Sequence, residues 1–122
     1  MENVRKKTAA SSVVLANSMS RAKLIVFTRH GRMARYVSNL RPERATVFAF
    51  TPSEEVRRHL TISWGVCPQR IEFSDDPNET IETAVKSLHQ QKLTSKGDNL
   101  VLISDVQARG ERIDCVQLRT VD

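Results

Sequence analysis

The sequence is poor in the residues that build disulfide-linked, metal-binding or membrane proteins. Its 122 residues include two cysteines, four glycines, four prolines, one tryptophan and 5% aromatic residues. Cys67 and Cys115 are widely separated, so they form no metal-ligand pair and no obvious disulfide framework. No apolar run exceeds five residues and the first ten residues are mostly polar and basic, which predicts neither a membrane span nor a signal peptide. We therefore expect a cytoplasmic protein that has no membrane partner.

Positive charge, by contrast, is in excess. The chain has 19 lysines and arginines against 14 aspartates and glutamates, a formal net charge of +5, and arginine outnumbers lysine. Arginine favours bidentate contacts to carboxylate or phosphate groups. Aromatic residues are few and do not interleave with the basic ones, so nucleic acid is an unlikely partner. A small phosphorylated ligand, an acidic partner subunit and a simple solvated surface all stay open on charge alone.

The length and the apolar pattern predict a single α/β domain over residues 1–122. A chain of this size holds one hydrophobic core and not two. Helical spacing of apolar residues alternates with short β-branched and apolar runs. The predicted helices cover residues 4–19, 31–40, 51–63 and a segment after Asp76 with a stripe at Ile81, Ala84, Val85 and Leu88. The predicted strands cover residues 23–28, 46–50, 70–73, 99–104 and 113–121.

The order of these elements predicts the architecture. Four strands separated by helices indicate parallel strands with helices on both faces. The polar stretch 105–112 is too short for a crossover, so the fifth strand should form a hairpin with the fourth. The predicted fold is a three-layer αβα sandwich around a mixed five-stranded sheet whose last, antiparallel strand lies at an edge. Thr51-Pro52-Ser53-Glu54 is typical of a capping box with Thr51 as N-cap, and Ile62 should face inward.

The stretch from Val26 to Arg35 is the strongest functional signal. An apolar run ends in a hydroxyl and a guanidinium, the first glycine of the sequence follows at Gly31, and a helical pattern then begins. This arrangement directs unpaired backbone N–H groups and the positive end of a helix dipole at an anion. Arg29, Arg32 and Arg35 surround that point. The residues alone equally fit an ordinary βα turn followed by a solvated basic helix face.

Five short motifs, taken in order, resemble the C-terminal domain of pyruvate kinase. They are Val26-Phe27-Thr28-Arg29-x-Gly31-Arg32-x-Ala34-Arg35, Leu40-Arg41-Pro42, Phe50-Thr51-Pro52, Trp64-Gly65-Val66-x-Pro68 and Lys96-Gly97-Asp98. Each is weak alone, but their order and approximate spacing match that family over nearly the whole chain. The resemblance implies the same α/β fold, with a mixed five-stranded sheet and an antiparallel last strand.

The resemblance further implies a regulatory and assembly domain with no catalytic residue of its own. In that family phosphoenolpyruvate, nucleotide, Mg²⁺ and K⁺ lie in and around a separate barrel domain, and no segment here resembles it. No metal or other cofactor is therefore expected in this domain. If the chain is a fragment, the barrel domain is a partner. The alternative is a stand-alone α/β regulatory protein that binds phosphate or a nucleotide without kinase activity.

A phosphorylated allosteric effector is the ligand that the resemblance implies. Thr28, Arg29, Gly31 and Arg32 match the phosphate-binding turn of the family, and His30 lies within it. His30 and Met33 replace residues that usually carry hydroxyl groups, and methionine has no donor to offer.

The stretch 105–112 departs further from the loop that closes over the effector in that family. Arg109 and Arg112 are its candidate anion ligands, with acidic neighbours at Asp105 and Glu111. A working effector site and a degenerate one are therefore both open.

Assembly is the second implied role. The family forms a two-fold contact through its first helix and last strand, which predicts a homo-oligomer with Val116, Leu118 and Arg119 at the interface. Other chemically suggestive residues have ordinary explanations in solvation, helix capping and packing. These are His59, His89, Asp75, Asp76, Trp64 and Cys67.

Overall fold

The secondary structure alternates helices and strands along the chain. A computed structural model describes residues 2–43, 45–108 and 111–122, and their side chains except at positions 2, 105–108 and 111–113. The helices are α1 (Glu2–Asn17), α2 (Arg32–Asn39), α3 (Glu54–Leu60) and α4 (Pro77–Gln90). The strands are β1 (Ala22–Phe27), β2 (Thr46–Thr51), β3 (Val66–Arg70), β4 (Asn99–Ala108) and β5 (Glu111–Thr120).

The five strands form one mixed sheet in the order β3-β2-β1-β4-β5. Strand β1 pairs in parallel with both β2 and β4, and β2 pairs in parallel with β3. Strands β4 and β5 pair antiparallel. This confirms the predicted mixed sheet, with its antiparallel last strand at an edge.

Helices cover both faces of the sheet because the central strands bury side chains on both sides. In β1, Leu24 and Val26 face α1, α2 and α3, whereas Ile25 and Phe27 face α4. Successive strand residues point to opposite faces, so a strand buried on both reads as a continuous apolar run. Three layers result, as predicted.

Helix α3 begins later and ends earlier than its sequence pattern predicts. Ser53 is the N-cap, and its hydroxyl oxygen accepts a hydrogen bond from the backbone N–H of Val56 at 3.2 Å. The predicted cap at Thr51 is wrong, because Thr51 is still part of β2 and its carbonyl accepts from the N–H of Ile71. The helix ends at Leu60, and Ile62 is 90% exposed instead of facing inward.

Strand β3 also lies elsewhere than predicted, at Val66–Arg70 instead of 70–73. Its backbone bonds explain how a strand accommodates Pro68. The N–H of Val47 donates to Gly65 O and the N–H of Ile71 donates to Thr51 O, so odd-numbered positions of β3 face β2. The nitrogen of Pro68 therefore points away from the sheet, where a missing N–H costs no ladder bond.

The final hairpin is longer than predicted. Most of the predicted polar loop 105–112 is strand, because β4 continues to Ala108 and β5 begins at Glu111. Gln107 pairs with Arg112 and Ala108 with Glu111. Strand β4 pairs with β1 only as far as Ile103, so the outer part of the hairpin is paired only between β4 and β5.

A buried carboxylate joins the starts of β1 and β4. Asp98 accepts hydrogen bonds from Arg21 Nε at 3.1 Å, Lys23 Nζ at 2.9 Å and the backbone N–H of Ser95 at 2.7 Å. Burial alone would raise the pKa of Asp98. The hydrogen bonds from Lys23 and Ser95, with the charges of Lys23 and Arg21, outweigh burial and hold that pKa below its ordinary value of 3.8.

Candidate functional site

The turn after β1 lies where the connections of the sheet change direction. Helices α2 and α3 lead from β1 through β2 to β3 on one face, and α4 returns across the other face to β4. The end of β1 therefore lies between β2, to which the chain leads on one side, and β4, to which it returns on the other. In open α/β sheets such a point forms a crevice in which ligands bind. The predicted phosphate turn, Thr28 to Arg32, occupies it.

Local hydrogen bonds fix the shape of this turn. Thr28 is buried, and its Oγ1 accepts a hydrogen bond from the N–H of Gly31 at 2.7 Å. The N–H of Thr28 donates to the carbonyl of Phe50 in β2 at 3.0 Å. Gly31 is the N-cap of α2, which has no side-chain capping bond. The turn therefore presents the positive end of a helix dipole, beside the exposed side chains of Arg29 and His30.

Gly31→Ala should lower the free energy of unfolding by about 1–2 kcal/mol, because Gly31 has φ +88°. An added Cβ would also lie 3.0 Å from Arg35 Nη1, the flexible end of a side chain, and 3.4 Å from Val56 Cγ1. Gly65→Ala is a matched control, since Gly65 has φ +69° with nothing within 4 Å of the added carbon. Urea unfolding of both variants separates backbone strain from crowding. An alanine at 31 that leaves stability unchanged would contradict the geometry.

A groove opens beside the turn, on the α4 face of the sheet. It encloses about 340 Å³. Its apolar wall is formed by Phe27, Phe73, Pro77 and Ile81, and its polar wall by Arg29, Ser74, Asp75, Thr80 and Ser104. The guanidinium carbon of Arg29 lies 5.2 Å from the ring centroid of Phe73, a cation–π distance. Of these residues, the sequence predicted only Arg29 as part of the site.

The first turn of α4 forms one rim of the groove. Asp76 caps this helix as predicted, its Oδ1 accepting from the N–H of Asn78 at 3.0 Å. Ser74 Oγ donates to Glu79 Oε2 at 2.6 Å, and Thr80 Oγ1 accepts from the N–H of Ser74. The positive end of the α4 dipole is therefore already compensated by carboxylates.

Two predicted anion ligands lie beyond the described side chains. Arg109 falls outside the described residues, and Arg112 is placed only by its backbone in β5. Within residues 2–43, 45–108 and 111–122, no group of three or more His, Cys, Asp or Glu is placed to hold a metal ion. In the same part of the chain no helix is long and apolar enough to span a membrane.

The predicted interface residues divide between the two faces of β5. Val116 and Leu118 are 42% and 50% exposed. Arg119 points to the other face, where its Nη1 donates to Glu82 of α4 at 3.0 Å. Because side chains alternate along a strand, Val116 and Leu118 lie on the α1 face, where Val14 of α1 is also exposed. Val116 and Leu118 form an apolar strip beside the open edge of β5, hereafter the β5 strip.

The comparisons with known families and known proteins all match pyruvate kinases. The family described as "Pyruvate kinase, alpha/beta domain" matches residues 6–117. Pyruvate kinase isozyme G, chloroplastic, of Ricinus communis is 35% identical over 116 residues, which cover 93% of this chain and 27% of that protein. Pyruvate kinase isozyme A, chloroplastic, of Nicotiana tabacum is 31% identical over 105 residues, covering 86% of this chain and 18% of that protein. The pyruvate kinase of Lactococcus lactis is 32% identical over 118 residues, covering 97% and 23%.

Solved structures show the same fold. The Cryptosporidium parvum pyruvate kinase in complex with ADP superimposes with a TM-score of 0.87 at 24% identity, covering 98% of this chain and 24% of that one. The chain thus spans between about a fifth and a quarter of the length of these proteins.

Proposed function

This chain belongs to the pyruvate kinase alpha/beta domain family, and we propose that it acts as the effector-binding and assembly domain of a pyruvate kinase. In that enzyme a phosphoryl group passes from phosphoenolpyruvate to ADP, and in this proposal the metal ions and catalytic residues belong to the barrel domain. The role of this domain is to bind a phosphorylated effector and to join subunits. A cytoplasmic location is part of the same proposal.

The observation that carries the effector proposal is the hydrogen-bonded turn between β1 and α2. Thr28 and Gly31 hold it in one conformation, so binding an anion requires little reordering. The start of α2 offers backbone N–H groups and a favourable dipole to a dianion. Arg29 lies on the adjoining groove, where a guanidinium and a phosphate would form charge-assisted hydrogen bonds.

Arg32→Ala should weaken phosphate-ester binding by about 1–3 kcal/mol, because one charge-assisted hydrogen bond to the ligand is lost. Isothermal titration calorimetry with glucose 6-phosphate measures the change. Arg58→Ala is the control, since Arg58 is exposed on α3 and lines no part of the groove. The effector proposal fails if fructose bisphosphate, glucose 6-phosphate, ribose 5-phosphate and AMP all give neither heat nor a thermal shift.

The assembly proposal rests on the β5 strip and the edge beside it. The N–H of Val121 donates to Asp98 O, so odd-numbered positions of β5 face β4. The backbone groups of Val116 and Leu118 therefore point outward, along an edge that can pair with a second strand. A two-fold contact would join equivalent strips and edges of two copies, since such interfaces are self-complementary.

A further inference from the structure

The groove beside the phosphate turn carries charges of both signs on different walls. The segment after β1 supplies Arg29, and the segment before α4 supplies Asp75. Arg29 already lies against the ring of Phe73. Among the described residues, no cation pairs with the carboxylate of Asp75. The α4 wall therefore presents an uncompensated negative charge to any ligand in the groove.

The surroundings of Asp75 add to this negative charge. Asp76 caps α4, and Glu79 accepts a hydrogen bond from Ser74 in the first turn of the same helix. The N-terminus of α4, which would otherwise attract a phosphate, is thus occupied by carboxylates. By contrast, the N-terminus of α2 has no side-chain cap. An anion is therefore favoured at the N-terminus of α2 and disfavoured at the N-terminus of α4.

We propose that Asp75 makes this site select ligands with one phosphate group over ligands with two phosphates at opposite ends. The inference rests on the effector site proposed above, in which one phosphate binds at the Thr28–Arg32 turn. The rest of such a ligand lies in the groove beside Phe73. A second phosphate on the α4 wall meets a like charge, and specificity arises from that repulsion.

The test compares two ligands that differ by one phosphate, glucose 6-phosphate and glucose 1,6-bisphosphate. We expect the parent to bind the monophosphate about tenfold more tightly, from like-charge repulsion at a partly screened distance. Asp75→Asn should raise bisphosphate affinity about tenfold and leave monophosphate affinity within about twofold, since the amide keeps the shape without the charge. Asp122→Asn is the control, because Asp122 follows β5 and is remote from the groove.

Calorimetry at low salt distinguishes the possible failures. If both ligands bind and Asp75→Asn leaves bisphosphate affinity within about twofold of the parent, the selectivity of Asp75 is overturned and the effector site stands. If neither ligand binds to the parent or the variant, the selectivity of Asp75 is overturned, and the effector site is overturned with it when fructose bisphosphate, ribose 5-phosphate and AMP also give no heat. A gain in the variant that shrinks in high salt further supports a charge effect, because screening weakens exposed electrostatic repulsion.

Discussion

Replacing Asp98 with alanine should lower the free energy of unfolding by about 2–3 kcal/mol, the range expected for hydrogen bonds to a charged group. The variant leaves the N–H of Ser95 without its acceptor and separates Arg21 and Lys23 from their shared partner. A fully buried ion pair would cost about 3–5 kcal/mol to break. Here the side chains of Arg21 and Lys23 are 54% and 23% exposed, so water partly compensates them. Urea unfolding at neutral pH measures the loss.

The same carboxylate predicts a dependence on pH. Its folded-state pKa lies below the ordinary value, so its stabilisation is present above the unfolded-state pKa and disappears as pH falls through the folded one. The difference between the parent and Asp98→Asn should therefore shrink below about pH 4. Asp122→Asn provides a control for an exposed carboxylate. Equal losses in the Asp98 and Asp122 variants would refute a special role for the buried group.

Lysines at Val116 and Leu118 should weaken self-association of the domain about a hundredfold or more. Each substitution removes apolar area worth about 1–2 kcal/mol and places like charges opposite each other across a two-fold contact. Sedimentation equilibrium of the parent and of the Val116→Lys, Leu118→Lys variant measures the dissociation constant.

Ile62→Lys is the matched control for general surface apolarity. Ile62 is 90% exposed and follows α3, which packs beside β2 and β3, toward the sheet edge opposite β5. We expect it to leave association unchanged. A parent that stays monomeric at high micromolar concentration would refute the assembly role, as would equal weakening by the Ile62 variant.

The sequence predicted the architecture well because the central strands are buried on both faces. Continuous apolar runs in β1 and β4 and the stripe on α4 leave few alternative arrangements. Strand β3 was misplaced because it forms an edge, where Pro68 is tolerated and burial is only partial. The predicted hairpin was too short because β4 continues to pair with β5 beyond Ile103, where its pairing with β1 ends, and the mostly polar sequence there does not indicate a strand.

The sequence predicted the turn at Thr28 to Arg32 but not the groove beside it. Thr28, Gly31 and Arg32 are close in sequence, and local hydrogen bonds define their turn, so the motif sufficed to find it. The groove joins Phe27, Phe73 and Ser104, which are far apart along the chain. Their convergence depends on the strand order and on the crossover by α4, which no local pattern contains. The groove could have been predicted only from residues that lie at or just beyond the ends of neighbouring parallel strands, since such residues meet at one edge of the sheet.

Pro68 also limits how many copies of this domain can join edge to edge. A fibre grows by edge pairing only if every molecule can pair at both edges of its sheet, because each added molecule must leave one edge free for the next. At the β3 edge the nitrogen of Pro68 points outward and has no hydrogen to donate. A strand that paired with this edge would therefore lack one backbone hydrogen bond in the middle of β3. If two copies pair through β5, as proposed above, each copy uses its β5 edge and the two outer edges of the joined sheet are β3 edges that contain Pro68. In the proposed assembly, edge pairing would therefore stop at two copies.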